Sequence, residues 1–66
     1  MNEIGKIIKD RRIDLKINQQ TLADLAEVGI NTLVAIERGN GNPSVKTLKK
    51  ILDTLGLEIN VGIKQM

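Results

Sequence analysis

Few residues in this chain could do reactive chemistry. The 66 residues include no His, no Cys and no Tyr, which removes the commonest general bases, nucleophiles and metal ligands. Four Asp and four Glu are scattered with no pair set beside a base. The composition argues against an enzyme, and no cofactor or metal is expected. The absence of Phe, Trp and Tyr also leaves no platform for stacking single-stranded bases. What remains is recognition chemistry: the amides of Asn and Gln, the cations of Lys and Arg, and short apolar side chains. One window gathers such groups, Ile30-Asn31-Thr32-Leu33-Val34-Ala35-Ile36. At helical spacing Leu33 and Ile36 turn toward a core, leaving Ile30, Asn31, Val34 and Ala35 on the other side. A solvated face normally carries Lys and Glu, whereas this one is short and uncharged. Asn can bond N6 and N7 of adenine, and Ala, Val or Ile can contact a thymine methyl. The same Ile30 and Val34 also suit a core or a protein contact.

Cationic side chains are distributed unevenly. The net charge is only +2, yet residues 1–16 sum to +2, residues 17–37 to −3, residues 38–50 to +4 and residues 51–66 to −1. Two basic blocks therefore flank an acidic middle, a pattern suited to holding a polyanion at two points. Lys46, Lys49 and Lys50 supply most of the second block. Solvated helix faces would produce the same charge distribution.

These side chains need a scaffold, and periodicity supplies one. Residues 3–16 read as an amphipathic helix with Ile4, Ile8 and Leu15 on one stripe and Ile7 beside it. Asn18 is placed to cap a second helix over residues 19–26, with Leu22, Leu25 and Ala26 buried. Gly29 precedes a third helix over residues 30–38, and Gly39-Asn40-Gly41-Asn42-Pro43 is the strongest turn signal in the chain. Ser44 caps a fourth helix whose apolar positions are Val45, Leu48, Ile51, Leu52 and Leu55, and Gly56 is placed to stop it. Two short helices joined by a tight turn inside a small helical domain form the helix-turn-helix arrangement.

Past Gly56 the period falls to two: Leu57, Ile59, Val61 and Ile63 alternate with Glu58, Asn60, Gly62 and Lys64. A lone strand leaves its backbone groups unpaired. Pairing with the same strand of a second copy across a two-fold axis answers this; an extended tail lying on its own domain is the alternative. The expected architecture is mainly α, a small helix-turn-helix domain of four helices over residues 1–56 followed by a dimerisation strand and tail over residues 57–66. A domain this small buries only about 60% of its unfolded surface, so support from a second subunit is in keeping with its size. No apolar run approaches the roughly 20 residues of a membrane-spanning helix, and a soluble, cytoplasmic protein is the expectation.

Across residues 4–57 the sequence resembles the Cro/phage-repressor-like (XRE) helix-turn-helix domains. The resemblance is carried by Ile17-Asn18-Gln19-Gln20-Thr21-Leu22-Ala23, Val28, Thr32, Ile36-Glu37-Arg38-Gly39, Asn42-Pro43-Ser44 and Leu48–Gly56. It implies phosphate contacts from Asn18 and Gln19, base contacts from Ile30, Asn31, Val34 and Ala35, and a backbone grip from Arg38, Asn40, Gly41 and Asn42. Lys46 is expected to reinforce phosphate attraction. The resemblance further implies a structural ion pair between Arg12 and Glu37. Four positions depart from the family pattern: Glu27 stands where the turn usually has Gly, Gly29 replaces a Ser or Thr cap, and Ile30 and Ala35 replace polar base readers. Glu27 is therefore expected in a strained left-handed conformation.

The run Leu55-Gly56-Leu57-Glu58-Ile59-Asn60-Val61 looks like HipB-type antitoxins. That likeness implies a homodimeric repressor on the palindromic double-stranded operator of its own operon, with a HipA-like kinase toxin as partner. The competing reading is a protein-interaction module that neutralises a partner without binding DNA.

Overall fold

A computed structural model describes residues 2–58. Four helices follow in order: α1 (Asn2–Asp14), α2 (Gln19–Ala26), α3 (Ile30–Glu37) and α4 (Val45–Thr54). Helix starts follow local chemistry. Asn18 Oδ1 accepts the Thr21 N–H at 2.8 Å, and Ser44 Oγ accepts the Thr47 N–H at 3.1 Å, each satisfying an otherwise orphaned donor. Gly29 caps α3 with no side-chain bond.

All four helices end the same way. A residue one or two positions past the last helical one takes a left-handed conformation, at Lys16 (φ 59°), Glu27 (58°), Gly39 (79°) and Gly56 (73°). The next residue then donates its N–H back five residues: Ile17 to Arg12 O, Val28 to Ala23 O, Asn40 to Ala35 O and Leu57 to Leu52 O. This is the Schellman arrangement. Its apolar residue packs inward in three of the four cases, since Ile17, Val28 and Leu57 lie against the core. Lys16 and Glu27 hold this conformation despite a Cβ, at a cost of about 1 kcal/mol each.

The core is aliphatic: Ile8, Leu22, Ala23, Ala26, Leu33, Ile36, Leu48, Ile51, Leu52 and Leu55 are buried, with Ile4 and Ile30 half-buried beside them. α2 packs against both α3 and α4, and α1 lies across α3. Gly5 sets that crossing. A Cβ there would strike the Ile36 carbonyl oxygen and approach Glu37 Cα to 3.3 Å, so only a hydrogen fits. On the other side of α1, Arg11 Nε donates to Leu55 O at 3.0 Å and ties α1 to the end of α4.

Several expectations are corrected. Leu25 is 62% exposed and Val45 71% exposed; Ala23 occupies the buried place on α2, and the stripe of α4 begins at Leu48. Leu15 is 42% exposed, because α1 stops at Asp14 and Lys16 turns the chain away. α3 ends at Glu37, with Arg38 as its C-cap. Leu57 is not a strand residue: it closes the end of α4 and packs on its own core. Among the described residues there is no strand. Ile59, Val61 and Ile63 lie outside them.

Candidate nucleic-acid interface

α3 presents two faces with different chemistry. Leu33 and Ile36 are buried and Glu37 points inward beside them, while Asn31 and Thr32 are exposed and Val34 and Ala35 half-buried. Spacings of three and four residues align Asn31 with Val34 and Ala35, and Val34 with Arg38, along one outward stripe. Ile30 sits at its edge and packs partly on the core, so it divides its surface between the two.

Beyond α3 the chain folds back beside this stripe. Gly39 and Gly41 take left-handed conformations (φ 79° and 83°), which turn the loop so that Arg38, Asn40, Gly41 and Asn42 are all exposed. Between helix and loop runs an open groove of about 350 Å³, walled by Asn31, Thr32 and Ala35 on one side and Gly41, Asn42 and Pro43 on the other. Lys46 is exposed in the first turn of α4, just past Ser44.

The amino end of α2 is locked to the end of α3 through one carboxylate. Arg12 Nε donates to Glu37 Oε2 at 2.8 Å and Arg12 Nη2 to Glu37 Oε1 at 2.9 Å, a two-pronged pair. Arg12 Nη1 also donates to Ile17 O at 2.9 Å, and Gln19 Nε2 to Glu37 Oε1 at 3.3 Å. The side chains of Arg12 and Glu37 are only 11% and 3% exposed. The hydrogen bonding that Arg12 donates to the Glu37 carboxylate, outweighing desolvation, raises the Arg12 pKa above its ordinary value. One buried charge pair therefore joins α1, the loop before α2, the first residue of α2 and the last of α3. Gln19 keeps its second amide N–H for an outside acceptor, whereas Asn18 has committed its side-chain oxygen to the α2 cap.

The structure thus brings Asn31, Ala35, Gly41 and Asn42 together along one groove between α3 and its loop, with Val34 half-buried on α3 and Arg38 and Asn40 exposed at the helix end and in the loop. Gln19 is linked to the end of α3 through Glu37. Sequence reasoning missed Gly5, Arg11, Lys16 and the groove-lining Thr32 and Pro43. An isolated Gly inside a helical pattern was the one signal for Gly5. Arg11 had none, because its partner lies 44 residues away.

The pattern of the family described as "Helix-turn-helix" matches residues 8–61. The chain belongs to this helix-turn-helix family. It is 35% identical over 52 residues to a cryptic phage CTXphi transcriptional repressor, RstR, of Vibrio cholerae, covering 79% of this chain and 47% of that protein. It is 35% identical over 57 residues to an immunity repressor protein of Bacillus phage phi105, covering 86% of this chain and 40% of the relative. A 10 kDa protein of the ImmF control region of the same phage is 34% identical over 59 residues, covering 89% and 66%. The chain therefore spans about half the length of the first two relatives and just under two thirds of the third.

Proposed function

We propose that this chain is a DNA-binding transcriptional repressor that sets α3 into the major groove of an operator. The observation that carries the reading is the outward stripe of α3. At Asn31, Val34 and Ala35 it carries short, uncharged side chains, none of them fully buried, and it runs on to the exposed Arg38 and the loop at residues 38–42. Such a surface approaches base edges without first displacing long charged side chains. Asn31, Val34 and Ala35, with Ile30 at the edge, take the base contacts. Gln19, Asn18, Arg38, Asn40, Gly41, Asn42 and Lys46 hold phosphates, a division in which phosphate contacts set register and base contacts set sequence. Two of the relatives are repressors by name, which supports the same direction of regulation here.

A homodimeric form on a palindromic site, with the two α3 helices about 34 Å apart or a multiple of it, rests on the alternating sequence pattern that takes in Ile59, Val61 and Ile63. A narrower form, an antitoxin that represses its own operon and binds a HipA-like kinase, rests on the sequence pattern of residues 55–61 alone. The test is selection of bound duplexes from a random pool at roughly 150 mM salt. The proposal expects a palindromic consensus with half-sites one helical turn or more apart. No enrichment from the pool overturns it in favour of a module that only binds protein.

A further inference from the structure

The α3 stripe carries a chemical bias of its own. Guanine is read in the major groove by two-pronged donors such as Arg or Lys, and the cytosine amine by a carboxylate. Residues 30–36 contain neither. The first carboxylate after them is that of Glu37, whose side chain is only 3% exposed and already holds Arg12. Arg38 stands seven residues past Asn31, roughly 10 Å farther along the axis, whereas recognition helices read bases with their amino-terminal residues. Thr32, on the groove side, can bond any base and so discriminates little. Two kinds of selective contact remain: an amide that fits adenine and methyl-rich surfaces that fit the thymine methyl. Ala35 leaves the groove beside Asn31 open, and the loop already approaches it closely, since a Cβ on Gly41 would lie 3.6 Å from Ala35 Cβ.

Resting on the DNA-binding reading above, we propose that α3 selects A·T over G·C pairs, with Asn31 on adenine and Val34 and Ala35 against thymine C5 methyl groups. The operator positions under α3 are then A·T in both half-sites. G·C pairs that contribute specificity, where present, lie outside the reach of residues 30–35.

Deoxyuridine in place of thymine removes only the C5 methyl, and so isolates the claim. Thymines of the selected duplex are replaced singly and the affinity of the full chain is measured by fluorescence anisotropy. The expected result is a loss of about fourfold per methyl at one or two positions in each half-site, the size set by burial of one methyl group. In Val34→Ala the loss at its own position shrinks toward none, while binding to the duplex persists. Asn31→Ala lowers affinity by about tenfold or more and weakens the preference for adenine at one position. Both side chains lie outside the buried core, so circular dichroism is expected to show the fold unchanged. G·C pairs under α3, or deoxyuridine without effect at every position, overturn this inference and leave DNA binding intact. A chain that binds no duplex removes the DNA reading and this inference with it.

Discussion

Removing the Arg12 guanidinium leaves the Glu37 carboxylate almost fully buried with a single partner. In the native structure the Glu37 side chain is 3% exposed and is held by two bonds from Arg12 at 2.8 and 2.9 Å, with a third from Gln19 at 3.3 Å. Arg12→Ala deletes the first two and also the bond to Ile17 O. Breaking a buried pair by taking one partner costs about 3–5 kcal/mol. A 66-residue domain holds only about 3–10 kcal/mol in total, at roughly 0.05–0.15 kcal/mol per residue. The single variant is therefore expected to be largely unfolded, or nearly so. Replacing both partners with apolar residues of similar length, Arg12→Met with Glu37→Met, leaves no stranded charge and recovers most of the loss. Urea unfolding followed by far-UV circular dichroism is the assay, since the chain has no aromatic residue for fluorescence. An Arg12→Ala midpoint equal to wild type, or a double variant weaker than the single one, refutes the reasoning.

Gly5→Ala, although it favours helix locally, is expected to destabilise by about 1–3 kcal/mol because its methyl meets the Ile36 carbonyl rather than a yielding side chain; the same urea assay reads it. Lys16→Gly and Glu27→Gly each relieve a left-handed non-glycine residue. Each is expected to add about 0.5–1 kcal/mol, visible as a rise of about 2–8 °C in Tm; an unchanged or lower Tm contradicts the strain argument. Truncation after Glu58 keeps the Leu57 closure of α4 and is expected to leave the helical signal intact while yielding monomers with much weaker DNA affinity. Sedimentation and anisotropy check this, and a truncated chain that remains dimeric moves the contact to the helices.

Much of this architecture is written in short windows. Asn18 and Ser44 announce helix starts through side chains that bond three residues ahead, and Gly39 and Gly56 announce stops. Periodicity also found the inward residues Leu22, Leu33, Leu48 and Ile51. It failed at Leu25, Val45 and Leu15, which satisfy a helical stripe yet stay exposed, because a stripe says which side is apolar and not where the next helix lies. Leu57 failed for a related reason: alternation begins there, yet the N–H that would join a strand closes α4. The close approach at Gly5 and the Arg11 bond to Leu55 O depend on how α1 crosses α3 and reaches α4, which no local window encodes. At the interface, the residue types were legible in the sequence, and the open groove between α3 and its loop was not.

The most direct test of the central claim is the salt dependence of binding to the selected duplex. The proposed phosphate set holds two cations per protomer, Arg38 and Lys46, both exposed, hence four in a dimer. Releasing about 0.9 counterion per phosphate contact, four contacts weaken binding about 150-fold between roughly 50 and 200 mM salt. A decline of that order, shallower by about half in Arg38→Ala, is the predicted result. An affinity that stays flat across that range contradicts the placement of α3 and its loop on DNA.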